Sequence, residues 1–96
     1  MGNEKGHLNA FLENDKKRVF LEAEKEIEKA RQLNSKSLDL SGMRLVKVPE
    51  NIKHLTQLES LNLSYNELEN DSLEQLVSLS QLNTLNVAWN ELGNLR

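Results

Sequence analysis

Cysteine is absent from this chain, proline occurs once, glycine four times, and aromatic residues make up 4% of it. Without cysteine there is no disulfide framework and no thiolate metal site. A small secreted domain commonly depends on disulfides, so the composition favours a reducing compartment and a cytoplasmic protein is expected. No apolar run approaches the ~18 residues of a membrane span, and no signal-peptide pattern opens the chain. An excess of basic charge is missing too. Charged residues are 28% of the 96, with a net charge of −3. A nucleic-acid binder would need a basic stripe, so that class is disfavoured. At this length the chain is one small domain.

What is present divides into parts. Residues 1–7 carry two glycines and, apart from Met1, no large apolar side chain, and are expected to form a disordered tail. Met1-Gly2-Asn3-Glu4-Lys5-Gly6 begins like a myristoylation site, but the sixth position holds Gly6 where Ser or Thr belongs. A flexible start is the plainer reading, and a single acyl chain would be a weak membrane anchor. Residues 8–34 form the second part. Leu8, Phe11, Leu12, Val19, Phe20, Ala23, Ile27, Ala30 and Leu33 supply its apolar positions, the later ones at steps of three or four. That spacing predicts an amphipathic helix. Asn14-Asp15 would cap it after a shorter helical turn, with one unbroken helix from Leu8 as the alternative. Asn34-Ser35 would end it. Glu13/Lys17, Glu22/Lys25 and Glu26/Lys29 are favourably spaced ion pairs. The helix lacks sustained heptads for a coiled coil and a basic face for membrane binding. We read it as a lid.

The third part, residues 35–96, is periodic. Leu58-x-x-Leu61-x-Leu63-x-x-Asn66-x-Leu68 returns 24 residues later as Leu82-x-x-Leu85-x-Val87-x-x-Asn90-x-Leu92. A weaker copy lies 23 residues upstream at Leu38, Leu40, Met43 and Leu45. A fixed period of this length marks a solenoid of about two and a half to three units, whose stacked copies share a core. Ser37–Ser41, Ser60–Ser64 and Thr84–Ala88 alternate as short strands, with Leu38, Leu40, Leu61, Leu63, Leu85 and Val87 expected in the core. Ile52, Leu55 and Leu58, and Leu73, Leu76, Leu79 and Leu82, step by three, which suits 3₁₀ or α turns on the return. Pro49 fixes the start of the first return, and Asn70-Asp71-Ser72 should cap the second.

These motifs resemble the leucine-rich repeat family over Ser35 to Leu92. The resemblance implies an α/β fold, a right-handed solenoid with a short parallel sheet and an N-terminal amphipathic capping helix. It also implies that Asn66 and Asn90 turn inward as a structural ladder, bonding backbone groups of neighbouring turns. The first unit departs, with Ser35 at its first Leu position and Met43 at the Asn position, which puts its inward turn in question. Leu45-x-x-Val48-Pro49-x-x-Ile52-x-x-Leu55 is similar to the 23-residue cytoplasmic class. A helix leading into Leu38-Asp39-Leu40-Ser41-Gly42 is similar to the start of repeat arrays attached to signalling GTPases and kinases.

No constellation for catalysis stands out. His7 lies in the tail, and His54 has no His or Cys partner at metal spacing. The carboxylates read as a solvated face, and there is no phosphate loop or nucleophile elbow. We expect a non-enzyme without metal or cofactor. Stacking in register leaves outward rows of Ser37/Ser60/Thr84, Asp39/Asn62/Asn86, Ser41/Ser64/Ala88 and Gly42/Tyr65/Trp89. This surface is nearly uncharged, with an aromatic pair at one edge. Asp39, Asn62, Tyr65, Asn86 and Trp89 are the candidate partner-binding residues, since Trp and Tyr are enriched at binding hot spots. The plainer alternative is that the two rings only pack on each other.

The expected function is a protein–protein interaction module. Two other classes compete: a regulatory N-terminal piece of a larger GTPase or kinase, and a unit that self-associates through its open last repeat. The chain ends four residues after Leu92 without a return segment, which fits either truncation or pairing of that edge.

Overall fold

Three short parallel strands stand side by side in chain order, β1 (Ser37–Asp39), β2 (Ser60–Asn62) and β3 (Thr84–Asn86). The structure is a computed structural model and describes residues 3–91, with the side chains of residues 15–91. In the middle strand Ser60 pairs with Ser37 and Thr84, Leu61 with Leu38 and Leu85, and Asn62 with Asp39 and Asn86. This is the register of the repeat. The backbone ladder runs on past the strands, since Gly42 N–H donates to Ser64 C=O and Tyr65 N–H to Ala88 C=O, each at 3.0 Å.

The first two strands each return through a 3₁₀ segment, Glu50–His54 and then Asn70–Ser78. In a 3₁₀ helix every third side chain eclipses the last, so the step of three puts one apolar row on the inner side. Ile52, Leu55, Leu58 and Leu79 are buried, and Leu73, Leu76 and Leu82 pack against the core from partly covered positions. Pro49 precedes the first segment with φ −59° and is itself buried. The second segment differs from expectation. Its N-cap is Glu69, with no side-chain cap, and Asn70 and Asp71 lie inside it. Ser72 instead turns back, its hydroxyl donating to the Glu69 carbonyl.

The helix α1 is single and unbroken, Asn3–Gln32. It therefore includes Asn3–His7, placed in a tail by sequence, and Asn14-Asp15 sit within it rather than at its start. No proline interrupts this stretch, and a lone glycine such as Gly6 costs a helix only about 1 kcal/mol relative to alanine. Met1 and Gly2, the start of the myristoylation-like pattern, lie outside the described residues. The other end is as read from Asn34-Ser35. Asn34 has φ +54°. Ser35 N–H donates to Ala30 C=O at 2.9 Å, and Asn34 N–H to Arg31 C=O at 3.2 Å. Those two bonds with a left-handed residue form a Schellman cap, which satisfies carbonyls the helix would leave orphaned.

Ala23, Ile27 and Ala30 are the buried face of α1, packed on the first return segment. Asn51 adds a bond from its Nδ2 to Glu24 C=O, 3.2 Å. The lid is thus centred on Ile27. Phe20 is only half-buried and Leu33 is 68% exposed, so the covered face is shorter than Phe20 to Leu33. The ion pairs on α1 are Arg18 with Asp15 and Glu22, and Arg31 with Glu28, rather than the lysine pairs suggested by spacing. Glu13 of the Glu13/Lys17 pair has a side chain outside the described residues. Exposed pairs of this kind contribute little.

The core is deepest in the first two repeats. Leu40, Leu45, Val48, Ile52, Leu55, Leu58, Leu61, Leu63 and Leu68 are almost fully removed from solvent. Leu38, Leu85 and Val87 are not, although the alternation points them inward. Leu38 and Val87 are half-buried, and Leu85 is 42% exposed. Among the described residues no further repeat covers the third, so its inward side chains have neighbours on one side only.

Candidate functional site

The two signature asparagines hold the turns that end each strand. Asn66 is buried, at 6% exposure. Its Oδ1 accepts from Met43 N–H and Leu45 N–H, both at 3.0 Å. Its Nδ2 donates to Leu40 C=O at 2.9 Å, Leu63 C=O at 3.0 Å and Ser64 C=O at 3.2 Å. Asn90 repeats the arrangement one unit on. Its Nδ2 donates to Leu63 C=O and Val87 C=O, and its Oδ1 accepts from Leu68 N–H. A tight inward bend strands backbone groups that need partners, and a primary amide offers both donors and acceptors. Each asparagine reaches back to the preceding turn. Met43 stands where no repeat precedes it, so an amide there would have no such turn to reach, and the first turn is closed by Asn66 instead. The inward turn of the first unit is therefore formed.

Outside that ladder lies the expected surface. Asp39, Asn62 and Asn86 form one row, and each side chain bonds two residues ahead. Asp39 Oδ1 accepts from Ser41 N–H at 2.9 Å, Asn62 Oδ1 from Ser64 N–H at 3.0 Å, and Asn86 Oδ1 from Ala88 N–H at 3.0 Å. These are Asx turns, which shape the backbone after each strand. The Ser41 hydroxyl and its backbone N–H hold the Asp39 carboxyl below its ordinary range. One oxygen of each residue in this row is thus committed to the fold.

The next positions carry the feature that the sequence could not display. Gly42, Tyr65 and Trp89 occupy equivalent places and all have positive φ, +66°, +57° and +60°. Glycine takes this conformation freely, whereas a bulky side chain is strained there. The in-register turns bring the two rings together. Tyr65 and Trp89 stack with centroids 5.8 Å apart and planes 14° from parallel. Even so, they remain 62% and 72% exposed. An added Cβ at Gly42 would meet nothing within 4 Å, so the position before Tyr65 in this row is open. The expected residues Asp39, Asn62, Tyr65, Asn86 and Trp89 thus lie on one surface built from adjacent rungs of a single sheet. Glycine at the equivalent position was the one signal in the sequence for the unusual backbone.

With this geometry, the sequence model of the leucine rich repeat family matches residues 34–92. The chain belongs to the leucine-rich repeat family. Leucine-rich repeat domains generally mediate protein–protein interaction, and the family is in general a non-catalytic one. No curated protein and no solved structure matches the chain. The leucine-rich repeats here carry a helical lid at one end, in keeping with the polar cover that a terminal repeat needs. Among the described residues no group of three His, Cys, Asp or Glu side chains is placed to hold a metal ion. No described helix is long and apolar enough to cross a membrane.

Proposed function

We propose that this chain is a protein-binding module whose recognition surface is the outward row of the leucine-rich repeat sheet, anchored by Tyr65 and Trp89. One observation carries the reading. Two large aromatic rings are held in a strained backbone conformation, stacked, yet left mostly in water. Backbone strain of ~1–3 kcal/mol persists only where the surroundings enforce it, and it concentrates at functional positions. Rigid aromatics also lose little conformational freedom on binding, which is why they dominate hot spots. Asn62 and Asn86 would offer their free amide nitrogens, and Asp39 a carboxylate oxygen. In the row between, Ala88 is small and exposed, whereas Ser64 is buried with its hydroxyl donating to Asn62 Oδ1. We take the solenoid as right-handed, as parallel crossovers almost always are.

A second reading has its own support. Leu85 is 42% exposed, and β3 has no further strand beside it among the described residues. Such an edge favours pairing with another copy or with further repeats. Regulation of an attached GTPase or kinase rests on no comparable feature.

The test is comparative affinity capture. The full chain and its Tyr65→Ala/Trp89→Ala double variant are immobilised at equal density, and bound proteins are quantified. The reading expects specific partners to be retained by the first and lost from the second. Identical recoveries from both would reject the aromatic surface.

A further inference from the structure

A second surface lies between α1 and the loop of residues 44–47. It is an open groove of about 550 Å³. Its apolar walls are Val19 and Phe20 from the helix and Leu45 and Val46 from the loop. Leu21, 56% exposed, stands at its margin. Lys16, Lys17, Arg44 and Lys47 also line it, and among the described residues no carboxylate does. Arg44 shares its charge with Asp15 and Glu67, each at 3.7 Å. The three lysines pair with no carboxylate among the described residues. The groove is therefore an apolar trough with a cationic rim, on a chain whose net charge is −3.

We propose that this groove docks an acidic amphipathic segment of a partner protein. Large apolar side chains of the segment would cover Phe20 and Val46, and its carboxylates would face Lys17 and Lys47. The occupant follows from complementarity. Half-buried Phe20 and Val46 leave apolar surface in water that a second apolar face would remove. Cations at the rim favour a partner of opposite charge and disfavour a basic one. Direction follows as well. Beyond Val46 lies a patch of Glu67, Glu69 and Glu91 that Lys16 also borders, which leaves Lys17 and Lys47 as the lysines facing the groove alone. The patch would repel an acidic segment, so the segment runs along α1 rather than across the repeats. A peptide in this mode places anchors at helical spacing into a groove.

The experiment is an NMR titration of the isotope-labelled full chain. The probe is a synthetic peptide of about four helical turns, with Leu or Phe at i, i+3, i+4 and i+7 positions and Glu elsewhere. A matched peptide carries Lys in place of every Glu, and phosphatidylglycerol vesicles form a third arm. The acidic peptide should shift the amide signals of Phe20, Leu21, Val46 and Lys47 while leaving Tyr65 and Trp89 unmoved. A Lys17→Glu/Lys47→Glu variant, with unchanged circular dichroism, should bind it at least about tenfold more weakly. Both changed residues are exposed, so folding is not at issue. The proposal is overturned if the acidic peptide does not bind, or if the Lys peptide binds as well. It is also overturned if the double substitution changes nothing, if the shifts fall on the aromatic pair, or if only the vesicles bind.

Discussion

The side-chain amide of Asn66 donates to the carbonyl of Leu40, 2.9 Å away and one repeat upstream. The same side chain accepts the N–H groups of Met43 and Leu45. One asparagine therefore closes two turns, its own and that of the degenerate first repeat. Asn66→Ala should cost about 1–3 kcal/mol, because it leaves buried backbone groups without partners. Asn90→Ala should cost less, since Asn90 is only half-buried and water can replace part of what it supplies. Urea denaturation of both variants measures the difference. Equal losses would mean that the end of the solenoid is covered by something further.

The helix makes a graded prediction. Ile27 is 1% exposed and Phe20 is half-buried. Ile27→Asp should destabilise by several kcal/mol, on the order of leaving an unpaired charge in a core. Phe20→Asp should cost clearly less, since its carboxylate can stay in water at the rim of the groove. Thermal midpoints of the two variants decide the order. A Phe20 effect as large as that at Ile27 would contradict the placement of the lid.

Much of this was legible because it depends on period and residue type. The register of the strands, the burial of Leu40, Leu61 and Leu63 and the Asn34-Ser35 stop follow from spacing and residue type, and the asparagine ladder from the resemblance to the repeat family. Three kinds of fact did not. The exposure of Leu85 and Leu33 depends on which neighbours exist, and alternation reports only direction. The first return segment and α1 meet through tertiary packing, so sequence could not fix how far along the helix the cover extends. The positive φ of Tyr65 and Trp89 is opposed by local preference and is imposed by the repeat. The bonds of Asp39, Asn62 and Asn86 to the N–H groups two residues ahead likewise depend on the backbone path after each strand.

Asp39 makes a prediction about acid. Its bonds to Ser41 hold the folded pKa below the unfolded one. The stabilisation is therefore complete above the unfolded carboxylate value of ~3.9 and is lost as pH falls through the lower folded value. Asp39→Asn keeps an oxygen acceptor for the Asx turn, as Asn62 and Asn86 do, and removes the titration. At neutral pH the variant should lie within about 1 kcal/mol of the parent, since the site is solvated. Below pH ~3 it should lose less of its stability than the parent does. Urea midpoints at the two pH values measure this, and a variant more acid-sensitive than the parent would refute it.

The exposed side of β3 predicts association. Leu85 presents apolar surface on β3, whose outer edge has no partner strand among the described residues. Sedimentation of the 96-residue chain over about a hundredfold range of concentration should show growth in mass, and Leu85→Lys should suppress it. A chain that stays monomeric throughout would mean that this edge is covered.

The central claim is that Tyr65 and Trp89 anchor a protein partner. Calorimetric titration of a captured partner against the parent chain and Trp89→Ala tests it most directly. Removing the ring should weaken binding by at least ~2 kcal/mol, roughly thirtyfold in Kd, with an unchanged circular dichroism spectrum. A Kd that does not respond to Trp89→Ala, or to Tyr65→Ala, would contradict the account and move recognition away from the sheet.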